Sequence, residues 1–394
     1  MLLLVPYHGL LFLQNRGDEM LGLDFSLFWL HLWRMGLFFA VSGFLAAMTL
    51  GLWGPARQVR QRLKRIAIPL AIAMVTILPL LKLIVIWNFN HNNPGSVNPA
   101  YDYTIANLLM WEPHHLWFLS YVLAFNLVAV AVWFVASRGP GLGARADGVF
   151  RRVLRSPLLI PILAGLGAIP LWLDGYVDAP GQVASSLIPL PSAFAYYGVF
   201  FVFGWMLFRS RDLLAIVEDH PWRRLAVALP AGVFAYLLFS AKIDLPGFVP
   251  LAPAILVTGG IAAWTTIFAV WGFFAKFLSG ARPWVRYLAD ASYWIYLIHL
   301  PVLVTAQLWL AGRTDLAPAP RLVIATSVAL AVSVASYALC VRYSPVGNLL
   351  HGKRRRTGRD RISEPPTPTN PQPAQMMPMA AGAGAGASRP AESP

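Results

Sequence analysis

Charge is what this sequence has least of. Only 12% of its 394 residues are charged and 57% are hydrophobic, whereas a soluble domain carries roughly 25% charged residues. The shortage excludes a soluble globular chain and points to a polytopic membrane protein. Cysteine is nearly absent, and the lone Cys340 excludes an intramolecular disulfide. There is no Cys/His spacing of a metal site, no phosphate-binding glycine loop and no G-x-S-x-G elbow, so no metal centre is expected. Acidic residues are scarce too, 17 against 31 Lys and Arg, for a net charge of +14. That excess does not indicate nucleic acid. The basic residues sit between hydrophobic spans and in the tail, where the positive-inside rule expects them.

What is present is a series of apolar runs. The first follows Met1 directly and is short, since a spanning helix needs about 20 residues. It lacks the basic start and A-x-A site of a signal peptide. The expectation is a first membrane helix whose beginning is missing. Nine further helices are expected near 23–50, 66–87, 114–136, 157–173, 191–208, 225–240, 252–274, 285–310 and 322–341. The fold class is therefore all-α, with about ten transmembrane helices over residues 1–345. Residues 346–394 are polar, then Pro-rich and Ala/Gly-rich, and are expected to form a disordered cytoplasmic tail.

Charge decides the orientation. The loops around 53–66, 138–156, 209–224 and 276–286, with the segment 342–361, hold 24 Lys and Arg. The loops of the opposite side hold four: Arg16, Lys242, Arg313 and Arg321. Both termini are thereby expected in the cytoplasm and the protein in the plasma (inner) membrane.

With that orientation, polar side chains can be placed by depth. His8 lies about 9 Å below the outer edge of helix 1 at 1.5 Å per residue, His31 about 10 Å deep in helix 2 and Arg34 about 15 Å deep. His31 and Arg34 are three residues apart and share one helical face. The short turn at 15–23 makes helices 1 and 2 neighbours, so His8 and this face can line one cavity. His114 and His115 stand at the mouth of helix 4, and His299 is near the middle of helix 9. Five of the eight histidines thus fall in the outer half or middle of the membrane.

Histidine is the usual general base near neutral pH, and an arginine beside it can stabilise an oxyanion or hold an anionic group. Plainer roles exist for each. A membrane histidine also serves to hydrogen-bond a neighbouring helix, and His114 and His115 suit the interface. A structural ion pair is harder to find for Arg34, because no carboxylate lies in the outer half of any span. Ser42 and Gly43 read as packing residues that admit a second helix closely. The basic run Arg57–Arg65 is a topology signal or a dock for the phosphates of a nucleotide-bearing donor such as an acyl-CoA.

The collected segments resemble the membrane-bound acyltransferase family 3, and within it the branch that modifies glucans. They are Leu3-Leu-Val-Pro-Tyr-His8, Arg34-Met-Gly-Leu-Phe-Phe-Ala-Val-Ser-Gly-Phe44, Arg62-Leu-Lys-Arg65-Ile-Ala-Ile-Pro69, His115-Leu-Trp117-Phe-Leu119 and Ser292-Tyr-Trp-Ile-Tyr296-Leu-Ile-His299-Leu-Pro301. They run in the family's order over most of the membrane part. The resemblance implies transfer of an acyl group, acetyl or succinyl, from cytoplasmic acyl-CoA to a sugar hydroxyl on the far side. It implies that His8 is catalytic, and it places the arginine that normally precedes this histidine by about ten residues ahead of Met1. Together with the reading of the residues above, this makes His8 and Arg34 the expected catalytic residues. His31, His115, Trp117, Tyr296 and His299 are expected to bind substrate, and Arg62 and Arg65 the donor. The expected partners are membrane lipid, acyl-CoA and a carbohydrate acceptor, with no permanently bound cofactor. The rival readings are a transporter or flippase of a lipid-linked sugar and an inactive relative of the acyltransferases.

Overall fold

The computed structural model describes residues 3–92, 113–139, 141–175, 187–244, 251–278, 280, 282–313 and 315–351. The chain divides into two units, 1–353 and 354–394. All described residues lie in the first. They form helices joined by turns, with no strand among them. In chain order the helices are α1 (Leu4–Asn15), α2 (Leu23–Trp53), α3 (Pro55–Arg62), α4 (Ile68–Asn92), α5 (Trp117–Ala136), α6 (Leu142–Leu154) and α7 (Leu159–Leu173). They continue with α8 (Pro191–Arg209), α9 (Ala215–Glu218), α10 (Pro221–Asp244), α11 (Leu251–Leu278), α12 (Pro283–Arg313), α13 (Pro318–Ser336) and α14 (Pro345–His351).

Among the described residues, eight helical stretches are long and apolar enough to cross a membrane, or nine if α6 and α7 count as one bent span. The expectation of about ten transmembrane helices, the first of them short, is refined at two places. Helix α1 has 12 residues, short of the roughly 20 needed. Helix α7 has 15, and α6 is bent from it by 116°. Helix α6 itself was expected as a loop. Its apolar residues Phe150, Val153 and Leu154 pack inward. Arg151 donates to both carboxylate oxygens of Asp212 at 2.7 and 2.6 Å. Arg209 does the same to Asp147 at 2.7 and 2.6 Å. These two forks tie α6 to the end of α8 and the turn after it. The Arg151 hydrogen bonds also hold the Asp212 carboxyl below its ordinary range.

Helix α2 is the centre of the packing. A Cβ on Gly43 would overlap the backbone carbonyl of Phe201 in α8, and a Cβ on Gly204 of α8 would overlap the carbonyl of Ala40. Each helix thus offers a glycine to the other's backbone, the close approach expected of Gly43. Between α2, α5 and α8 lies an aromatic core around the buried Phe39. Its ring is 4.7 Å from Tyr197, 5.0 Å from Phe118 and 5.4 Å from Phe125, centroid to centroid.

Two further boundaries move. Arg321, expected in a loop, is buried in the first turn of α13. It pairs with Asp18, which Arg16 approaches to 3.7 Å. This ion pair ties the α1–α2 turn to α13. Beyond the membrane part, α14 continues the ordered chain past residue 345 and buries Leu350. The expected disordered tail from 352 on, and the loop segment 93–112, lie outside the described residues.

Candidate active site

A cavity of about 620 Å³ opens between α1, α2, α4, α12 and the single turn His114–Leu116 that leads into α5. Its wall includes His8, His31, Arg34, Lys82, His115 and Tyr296, together with Trp117. Six of the seven residues expected for catalysis or substrate binding therefore meet in one place. The seventh, His299, sits beside it, with its ring centroid 5.2 Å from that of His8.

The α1–α2 side is built on one ring. Arg34 is buried, and its guanidinium carbon lies 3.4 Å from the centroid of the Tyr7 ring. A desolvated cation on an aromatic face gains about 2 kcal/mol. The Tyr7 hydroxyl shares a 2.8 Å hydrogen bond with His31 Nδ1. Arg34 Nε and Nη1 have no partner. None of the described residues lining the cavity is acidic. A buried guanidinium with open donors and no carboxylate nearby is suited to an anionic group or a developing oxyanion.

The α12 side follows from a proline. Pro301 lies inside α12. It has no N–H, so the carbonyl of Leu297 four residues earlier loses its helical donor. His115 Nε2 donates to that carbonyl at 3.2 Å. The Tyr296 hydroxyl returns a 2.6 Å hydrogen bond to the His115 carbonyl. Just before, His114 is held at φ +39°, in the left-handed region that side-chain-bearing residues avoid.

His299 is anchored one turn along. Its Nδ1 lies 2.8 Å from the Tyr296 carbonyl and 3.0 Å from that of Ile295. Carbonyls only accept, so the network assigns the proton to Nδ1 and leaves a lone pair on Nε2. The same reasoning puts the proton of His115 on Nε2. Both remaining nitrogens, His115 Nδ1 and His299 Nε2, are buried without a partner. Leaving such an acceptor unpaired costs about 1–3 kcal/mol each.

Arg62 and Arg65 are not part of this cavity. Along the continuous helix to Lys82, Arg65 is about 26 Å and Arg62 about 30 Å away at 1.5 Å per residue. Arg62 Nη2 donates to Thr49 at 3.1 Å, and the Arg65 carbonyl accepts from Tyr293 at 2.9 Å. They form a separate basic cluster at the other end of α4.

Sequence reasoning missed Tyr7 and Lys82 as wall residues. A lysine within the apolar run 66–87 is a costly residue, and that cost was a readable signal. Tyr7 carried none, because its partners lie on another helix. Among the described residues no three His, Cys, Asp or Glu side chains are placed to hold one metal ion.

The comparisons with known proteins cover this whole arrangement. The family model of an acyltransferase domain, acyltransferase family 3, matches residues 1–338. The chain belongs to that family. Among curated proteins it is similar to glucans biosynthesis protein C of Escherichia coli strain SMS-3-5, 24% identical over 312 residues. The strain K12 form is 23% identical over the same length. Each match covers 77% of this chain and 79% of the relative. No solved structure matches. The family assignment makes the protein an acyltransferase, and the matched range contains every residue of the cavity and His299.

Proposed function

We propose that this acyltransferase moves an acetyl or succinyl group from cytoplasmic acyl-CoA to a hydroxyl of an extracytoplasmic carbohydrate, with both chain termini in the cytoplasm of an inner membrane. The observation that carries the reading is the His8 imidazole, half-buried in the cavity beside the unpartnered donors of Arg34. In this mechanism His8 takes the proton of the acceptor hydroxyl. The oxygen attacks the thioester carbonyl, and the Arg34 N–H groups meet the oxyanion that forms. The thiolate of coenzyme A leaves when the C–S bond breaks, and the proton ends on its sulfur. His31, His115, Trp117 and Tyr296 shape the acceptor's seat. Arg62 and Arg65 hold the donor's phosphates from the cytoplasmic side, the reading that best fits their place at the far end of α4. No permanently bound cofactor takes part, and the other partners are membrane lipids.

The kinship with glucans biosynthesis protein C favours a glucan as acceptor. A succinyl chain adds a carboxylate, and Arg34 is the cation it would meet. The test offers radiolabelled acetyl-CoA and succinyl-CoA separately to membranes holding the protein and a glucan acceptor. Label is expected in the glucan from at least one donor. If the succinyl donor serves, Arg34→Gln lowers its use more than that of the acetyl donor. Absence of label from both donors overturns the reading.

A further inference from the structure

His115 and His299 present the cluster's unexplained feature. Each ring is fixed by donating one N–H to a backbone carbonyl. Each is almost fully buried, at 6% and 0% exposure. Each keeps a second nitrogen, His115 Nδ1 and His299 Nε2, as a lone pair without a donor. The two ring centroids are 5.3 Å apart, and the His8 ring is 5.2 Å from His299 and 6.4 Å from His115. The His115 and His299 rings meet edge to face at 88° and those of His8 and His299 at 44°, and neither orphaned nitrogen is hydrogen-bonded to another imidazole. A proton therefore passes between the rings when one turns to aim its N–H. Two acceptors in one buried cluster cannot satisfy each other. One added proton satisfies both.

We propose that His115 and His299 form a proton-holding pair that relieves His8 of the acceptor's proton while the acyl group is transferred. This rests on the reading of His8 as the base. The acceptor O–H bond breaks as its oxygen bonds the acyl carbon, and the proton moves to His8. From the His8 N–H it passes to His299 Nε2, shared with His115 Nδ1. It returns through His8 to the thiolate released when the C–S bond breaks. Thioester and alcohol become ester and thiol, with no net proton taken up. The titratable groups facing the cluster are Tyr7 from α1, Arg16 just after it, His31 and Arg34 from α2, Lys82 from α4, His114 from the turn and Tyr296 from α12. Helices α5, α8 and α13 add no charged side chain to the described cavity wall. His115 and His299 are positioning residues in this scheme, acting on the reacting oxygen only through His8.

Two substitutions remove the lone pairs while sparing the anchors. His299→Asn keeps an N–H where Nδ1 was, and His115→Gln keeps one where Nε2 was. Single-turnover acyl transfer would be followed across pH with both KM values. Each variant is expected to slow transfer by about ten- to a hundredfold, for His299→Asn with little change in either KM, to alter the pH profile, and to be no worse when combined, as residues acting as one unit behave. The parent protein is expected to give a bowed rate plot in mixtures of light and heavy water, because more than one proton is in flight. A linear plot overturns the proposal even if neither variant folds. Parental rates in both variants, or a raised acceptor KM with an unchanged rate, also overturn it. An active His8→Ala protein would instead overturn the His8 reading itself, and the relay with it.

Discussion

Tyr7 gives one ring two tasks. Its face carries the Arg34 guanidinium and its hydroxyl holds His31. The two tasks separate by substitution. Tyr7→Phe keeps the face and loses a hydrogen bond worth about 1 kcal/mol, so acyl transfer should fall by no more than about tenfold. Tyr7→Leu also loses the cation–π contact, worth about 2 kcal/mol when desolvated, and should fall further. Transfer rates of the two variants at matched protein level check the order, and a Leu variant as active as the Phe variant contradicts it. At this scale the sequence was legible where geometry is local. His31 and Arg34 share a face because a helix has 3.6 residues per turn, and both line the cavity. The Tyr7–Arg34 stack joins two helices, and the orphaned nitrogen of His115 depends on a carbonyl from residue 297. Neither follows from spacing.

At the scale of elements, Pro301 and the glycine pair make the strongest claims. Pro301→Ala restores an N–H that competes with His115 for the Leu297 carbonyl. The variant should melt no lower than the parent in detergent yet transfer acyl groups up to about tenfold more slowly, the equivalent of one orienting hydrogen bond. An unchanged rate would show that this carbonyl does not set the His115 ring. Gly43→Ala and Gly204→Ala should each destabilise the protein by about 1–3 kcal/mol or more, because the added carbon meets backbone that cannot rotate away. A thermal-melt series in detergent checks this, and unchanged melting in both would contradict the α2–α8 approach. Hydropathy located the long helices because burial in lipid demands a long apolar run. It missed α6, whose Arg145, Arg151 and Arg152 dilute the average over a window. There the apolar residues fall on one face, a pattern that periodicity reads and mean hydropathy does not.

At the scale of the whole molecule, the account is one helical membrane unit with a histidine- and arginine-lined cavity at one end of α4 and a basic cluster at the other. The proposed orientation rests on where the basic loops lie, and a Cys340→Ser background allows it to be tested. In a Cys340→Ser background, a single cysteine at the exposed Leu21 should react with a membrane-impermeant thiol reagent added to intact cells. One at the exposed Asp219 should react only after permeabilisation. The reverse pattern would invert the membrane sidedness. The central claim is that His8 performs the chemistry in this cavity. It is tested most directly by comparing label transfer from acyl-CoA to glycan in membranes carrying the parent or His8→Ala at matched amounts. Loss of a general base predicts a fall of about 10²–10⁴-fold. Equal transfer by the two proteins would contradict the account.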